Sequence, residues 1–135
     1  MLEQKNRILV VEDNSETQLI IKVNLKEFFV LDIRDNAVES ISLLKNNKFD
    51  LVLLDINLRG EFDGKYVLNE ILADDGLNNI PVIIITAYDL PDDEREYLES
   101  VCCDYIEKPL GKDKLLKSIQ KCLRVAKSKK SNPDN

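Results

Sequence analysis

Leu51-Val-Leu-Leu-Asp-Ile-Asn57 decides the fold, because four consecutive apolar residues run directly into an acid. A short apolar run without alternation is typical of a strand that is buried on both faces of a parallel sheet. Similar runs recur along the chain and predict five strands, at 8–11, 30–33, 51–54, 82–85 and 105–106. Asp55 then stands at the carboxyl end of the third strand.

Segments with helical periodicity follow these apolar runs. The stripes at helical spacing are Ile21, Leu25 and Phe28; Val38, Ile41 and Leu44; Val67, Leu68, Ile71 and Leu72; and Leu115, Leu116, Ile119, Cys122, Leu123 and Ala126. The segment from Pro91 to Val101 is the weakest, with Tyr97, Leu98 and Val101 as the residues we expect to be buried. Alternating strands and helices predict an α/β fold, a (βα)5 doubly wound, five-stranded parallel sheet.

Length and composition favour one domain. The chain has 135 residues, of which 44% are hydrophobic, and a net charge of -6. We expect the domain to span residues 1–127 and residues 128–135 to form a polar, disordered tail. The polar start and the lack of an apolar run near ~18 residues predict a cytoplasmic protein that does not contact the membrane.

The absence of histidine excludes several kinds of chemistry. A Ser-His-Asp or Cys-His nucleophile, a histidine-ligated zinc ion and a phosphohistidine on this chain all require that side chain.

The acidic balance of the chain argues against nucleic-acid binding. Nine basic residues between 108 and 130 are interpreted as the solvated face of the last helix.

The three cysteines are Cys102, Cys103 and Cys122. An odd number with two adjacent residues suits neither a disulfide framework nor a paired zinc or redox motif. Free cysteine packs as a small apolar side chain. We therefore expect all three to be reduced and to fill space in or near the interior.

Charged and polar residues follow several of the predicted strands. They are Glu12, Asp13, Asp55, Thr86 and Lys108. Since ligands bind beyond the carboxyl ends of strands in open parallel sheets, these side chains are predicted to share one crevice. Three neighbouring carboxylates repel one another unless a cation compensates, and Mg²⁺ is the hard cation that fits best. An ionised Asp beside Mg²⁺ and a lysine is suited to phosphoryl transfer.

Single residues in this set leave other interpretations open. Glu12 and Asp13 are also compatible with capping the helix that follows, since anions favour a helix N-terminus. Lys108 alone is compatible with a surface cation. Tyr105, on the last strand, is compatible with a simple core residue.

With these residues in order, the chain resembles the receiver domain of two-component response regulators, of the single-domain, chemotaxis-regulator type. The resemblance covers about residues 6–126. The motifs that carry it are Ile8-Leu-Val-Val-Glu-Asp-Asn14, Leu51 to Asn57, Asp63-Gly64, Ile84-Ile-Thr-Ala87 and Asp104-Tyr-Ile-Glu-Lys-Pro109.

The resemblance implies a reactive site and a strand order. Asp55 accepts a phosphoryl group from a sensor histidine kinase or a histidine phosphotransfer protein. Asp13, Asp55 and the backbone carbonyl of Asn57 ligate Mg²⁺, and Glu12 acts through water. Lys108 completes the site and is followed by a proline with a cis peptide bond. The implied strand order is the flavodoxin-like 2-1-3-4-5.

The resemblance also implies a switch. Thr86 moves toward the phosphoryl group, Tyr105 turns inward, and the surface of the fourth helix, fifth strand and fifth helix changes for an output protein that the sequence does not identify. A dimer through that surface is a candidate form on phosphorylation. Asn57 and Tyr88 occupy the positions that tune dephosphorylation. Such a chain is not an enzyme, beyond catalysing its own phosphorylation and dephosphorylation.

Some residues depart from the family pattern. The loop from Ile56 to Gly64 is one residue longer than is common, Arg59 stands where proline is frequent, and Cys102-Cys103 replaces a usual Gly-Ala. Two alternatives remain open: a degenerate receiver that acts as an interaction module without phosphorylation, or a receiver fragment of a hybrid histidine kinase.

Overall fold

The computed structural model describes residues 4–87 and 90–130. Each predicted strand is present and is longer than predicted by one or two residues. The strands are β1 (Arg7–Val11), β2 (Val30–Arg34), β3 (Leu51–Asp55), β4 (Val82–Thr86) and β5 (Asp104–Glu107). The helices are α1 (Ser15–Leu25), α2 (Ala37–Asn46), α3 (Gly64–Ala73), α4 (Asp92–Val101) and α5 (Lys112–Lys130).

The five strands form one parallel sheet in the order β2-β1-β3-β4-β5. Both the α/β fold class and the flavodoxin-like order are thereby confirmed. β3 lies at the centre, where Leu54 pairs with Val11 of β1 and with Ile84 of β4. This register brings the carboxyl ends of β1, β3 and β4 to the same edge.

Helices cover both faces of the sheet because side chains alternate along each strand. Val52 and Leu54 of β3 pack into a core with α2, α3 and Leu98 of α4. Leu51 and Leu53 point the other way, into a core with α1 and α5. Every residue of β3 is therefore buried, which is why its sequence lacks alternation.

Side-chain caps fix where three helices begin. Asn14, Asn36 and Asp63 each accept a hydrogen bond from the backbone N–H three residues later, at 2.9–3.1 Å. The cap of α1 is thus Asn14 rather than Glu12 or Asp13.

Three residues predicted to be buried are exposed instead: Phe28, Val38 and Tyr97. α1 ends at Leu25, so Phe28 falls in the following turn and Phe29 enters the core. On α2 the neighbouring Ala37 is buried instead of Val38, and on α4 the core contact is made by Leu98, which was also predicted. Other predicted stripe residues of these helices, among them Ile41 and Leu98, are buried as expected.

The prediction that all cysteines are reduced is wrong. Cys103 and Cys122 form a disulfide with a Cα–Cα distance of 5.9 Å, and Cys102 is a free thiol. Cys103 precedes β5, and Cys122 lies on the buried stripe of α5 that packs beside it. Counting cysteines along the sequence does not show this proximity, which depends on how α5 folds back against β5.

The segment predicted as a tail, residues 128–135, begins within α5. α5 continues through Ser128 to Lys130, and the rest of the predicted tail, residues 131–135, lies outside the described residues. Within the described ranges, no helix is both long and apolar enough to cross a membrane.

Gly64 at the start of α3 gives a prediction about stability. A Cβ there would lie 2.2 Å from the carbonyl oxygen of Asp55 and 2.6 Å from Cα of Ile56, whereas a Cβ at Gly111 would have no atom within 4 Å. We expect Gly64→Ala to lower the free energy of unfolding by roughly 1–3 kcal/mol or more, because backbone must shift. Urea denaturation measures the free energy of unfolding, and Gly111→Ala is the control. Equal stability of the two variants would contradict the described contact.

Candidate functional site

Three carboxylates and one ammonium meet at the carboxyl ends of the strands. Glu12 and Asp13 follow β1, Asp55 ends β3, and Lys108 follows β5. One oxygen from each of the three acids lies within 4.8 Å of the others. Glu12 is fully buried, and Asp55 is only 4% exposed. The predicted crevice therefore exists, and strand ends distant in sequence form it.

Lys108 lies between the two most buried acids. Its Nζ is 2.7 Å from Glu12 Oε1 and 3.2 Å from Asp55 Oδ2. Burial lowers the pKa of Lys108, but the two carboxylates more than offset that effect, so its pKa is raised above the ordinary value. The side chain is thus held as a cation. It is not the solvated surface cation that its sequence position alone allowed.

Glu12 shows that Lys108 does not neutralise the cluster completely. Burial and the neighbouring Asp55 raise the pKa of Glu12 to about 7, although Lys108 and the N–H of Asn14 act in the opposite direction. Its Oε1 lies near Lys108 but has no hydrogen-bond donor in suitable geometry among the described residues. The cluster retains excess negative charge on oxygen atoms, and these are the ligands that Mg²⁺ prefers. The site therefore fits a divalent cation.

The lengthened loop after β3 supplies a contact that the sequence did not predict. Asp13 Oδ2 accepts a hydrogen bond of 2.8 Å from the backbone N–H of Arg59. The Arg59 side chain is almost fully exposed, with Nε 4.0 Å from the same oxygen. The backbone of the loop, rather than the guanidinium, therefore orients Asp13 toward the cluster.

Asn57 joins Asp55 to Thr86. The Asn57 N–H donates to Asp55 Oδ1 at 2.8 Å, and its Nδ2 lies 3.4 Å from Thr86 Oγ1. Thr86 is completely buried at the end of β4. The resemblance implied a metal-binding carbonyl and a role in tuning dephosphorylation for Asn57, but it did not predict this contact of the Asn57 side chain with Thr86.

Tyr105 lies half-buried on β5 and packs at the margin of the core that contains α4. It pairs with Ile84, two residues before Thr86, so the Tyr105 and Thr86 side chains leave their strands on the same face. The Arg95 guanidinium lies 5.7 Å from the Tyr105 ring centre and 3.6 Å from Glu107. α4 and β5 are thus connected at this ring. Tyr88 lies outside the described residues.

The metal site can be tested at Asp13. We expect Asp13→Asn to weaken Mg²⁺ binding by about tenfold or more, or about 1.4 kcal/mol, because one anionic ligand is lost. Isothermal titration calorimetry measures the affinity. Asp75→Asn, which removes an exposed acid outside the cluster, is the control and is expected to bind as the wild type does. An unchanged affinity in Asp13→Asn would contradict the assignment.

Comparisons with known proteins agree with this geometry. The profile of the response regulator receiver domain family matches residues 8–120. The polar-differentiation response regulator DivK of Brucella anthropi is 31% identical over 117 residues, which are 86% of this chain and 94% of DivK. The chain spans only 26% or 27% of several longer curated relatives.

Solved structures are similar as well. A response regulator receiver domain protein from Methanospirillum hungatei matches with a TM-score of 0.82 and 25% identity over 93% of this chain and 99% of that one. The receiver domain of sensor histidine kinase PA1611 from Pseudomonas aeruginosa has a TM-score of 0.79 and 26% identity over 88% of this chain and 98% of its own. That structure holds a magnesium ion coordinated in its active site cleft. Because fold, motifs and relatives agree, the chain belongs to the response regulator receiver domain family.

Proposed function

We propose that this chain is a phosphoryl-accepting receiver of a two-component system or phosphorelay, and that Asp55 is the acceptor. The donor is a phosphohistidine on a sensor histidine kinase or a histidine phosphotransfer protein, since this chain has no histidine of its own. The observation that carries the proposal is the nearly buried Asp55 carboxylate, 3.2 Å from Lys108 Nζ and within the acidic cluster of Glu12 and Asp13.

The chemistry needs a nucleophile and charge neutralisation. A carboxylate oxygen of Asp55 bonds to phosphorus, the P–N bond of the phosphohistidine breaks, and its electron pair returns to the imidazole. Lys108 is placed to neutralise a phosphoryl oxygen as well as Asp55. The N–H of Asn57 orients the carboxylate through Oδ1.

Mg²⁺ is the proposed cofactor, and it would supply further neutralisation of the phosphoryl oxygens. Asp13, Asp55 and the backbone carbonyl of Asn57 are its proposed protein ligands, with Glu12 acting through water. The donor set of the cluster and the magnesium in the PA1611 receiver domain support this assignment.

Signalling is proposed to proceed through a switch surface formed by α4, β5 and α5. Thr86 moves to donate a hydrogen bond to the new phosphoryl group, and Tyr105 turns into the space that it leaves. α4 has only one fully buried residue, Leu98, which suits an element that must move. An output protein then binds the changed surface, or a second copy of the chain does so.

Other properties follow from this role. The chain catalyses only its own phosphorylation and dephosphorylation, and Asn57 and Tyr88 tune the second reaction. We place it in the cytoplasm, where it acts by protein contact without binding nucleic acid.

The acceptor is tested by mass spectrometry. With Mg²⁺ and acetyl phosphate, the wild type and Asp75→Asn are expected to gain one phosphoryl group, and Asp55→Asn none, since an amide is not a nucleophile here. Peptide mapping then locates the acyl phosphate. The proposal fails if Asp55→Asn is still labelled, or if the wild type gains no group from acetyl phosphate or phosphoramidate.

The switch is tested with Thr86→Ala. This variant is expected to accept the phosphoryl group but to lose most of the amide chemical-shift changes that beryllofluoride causes in β5 and α4, because the hydroxyl donor is missing. Thr17→Ala, which changes a buried threonine of α1, is the matched control. If beryllofluoride causes the same amide chemical-shift changes in Thr86→Ala as in the wild type, Thr86 does not drive the switch.

A further inference from the structure

The second cluster of reactive side chains lies at the opposite end of the sheet from Asp55. Cys102 and Cys103 precede β5, and Cys122 lies on α5. A cavity of about 230 Å³ is lined by all three cysteines, together with Val101 and Val125. Nothing in phosphoryl transfer uses this cluster.

We propose that Cys103 and Cys122 are a reversible redox couple that fastens α5 to the start of β5. The Cα–Cα distance of 5.9 Å lies within the range usual for disulfides, so the two thiols meet without moving the backbone. A disulfide in the cytoplasm, the location proposed above, is expected to be reversible rather than permanent.

The structure selects this pair over the others. Cys102 packs against the core beside α4, whereas Cys103 and Cys122 share the core beside α5, on the other face of the sheet. Burial also raises the pKa of the Cys102 thiol to about 12, so it is a weak nucleophile near neutral pH. Cys102 therefore stays a thiol while the other two exchange.

The exchange has a defined order. Cys103 is partly exposed and Cys122 is fully buried, so the thiolate of Cys103 attacks glutathione disulfide and releases one glutathione. Cys122 then attacks the sulfur of Cys103 in the mixed disulfide and releases the second glutathione. Two protein thiols lose two electrons and two protons, and glutathione disulfide is reduced to two glutathione molecules.

The reduced protein keeps its fold, because a second contact joins the same elements. Asp104 accepts a hydrogen bond of 2.6 Å from Ser118 and lies 3.2 Å from Lys121 Nζ, both on α5. Leu115 and Ile119 also stay in the core. Oxidation of the couple therefore strengthens the attachment of α5, which is one part of the switch surface. It does not decide whether the chain folds.

Thiol counting tests the couple. The folded protein is equilibrated at a series of glutathione to glutathione disulfide ratios, quenched in acid, alkylated with N-ethylmaleimide under denaturing conditions and weighed. We expect three adducts under reducing conditions and one under oxidising conditions, with the same transition from either direction. Cys102→Ser is expected to show two adducts under reducing conditions and none under oxidising conditions. Cys103→Ser is expected to show two adducts at every ratio.

Two results would overturn the proposal. One is three adducts at every ratio; the other is a disulfide that survives excess dithiothreitol in the folded protein. A disulfide that contains Cys102 would reject the choice of pair.

The melting temperature tests whether the disulfide stabilises the attachment of α5 to β5. The oxidised form is expected to melt on the order of 10 °C above the reduced form in the wild type and Cys102→Ser, with no difference in Cys103→Ser. Equal melting temperatures of the oxidised and reduced wild type would refute this stabilisation. Both readouts are independent of Asp55, so they separate this proposal from phosphorylation.

Discussion

The contact of Lys108 with two buried carboxylates is the interaction on which the rest of the site depends. Glu12 and Asp55 would repel each other at the carboxyl edge of the sheet, and burying either charge unpaired costs free energy. Lys108 offsets part of that cost from the end of β5, 2.7 and 3.2 Å away. The remaining excess of negative charge makes the cluster receptive to a divalent cation.

The features that the sequence predicted are those with a local physical cause. β3 is buried on both faces, so Leu51 to Leu54 had to be apolar, and the acid that follows marked the edge of the sheet. The same reasoning applied to Glu12, Thr86 and Lys108, since every strand is parallel and all carboxyl ends share one edge. A pattern of residue types, read with the rule for parallel sheets, was enough to assemble the site.

The features that the sequence did not predict depend on orientation in three dimensions. The bond from the Arg59 N–H to Asp13 involves backbone, which no side-chain pattern reveals. The contact of Asn57 with Thr86 joins residues 29 positions apart. Phe28, Val38 and Tyr97 each lie one residue from a buried neighbour, and apolar type alone does not decide which of the two is buried. The disulfide required the packing of α5 on β5.

β5 connects the two reactive ends of the domain. Lys108 follows its carboxyl end and neutralises Asp55, while Cys103 precedes its amino end and binds α5. Between them, Asp104 contacts α5 and Tyr105 faces Arg95 of α4. The four residues of β5 therefore join both reactive ends to the two helices that pack beside them. The proposed phosphorylation at Asp55 and the proposed oxidation at Cys103 would therefore act from opposite ends of one strand on the surface that α4, β5 and α5 form.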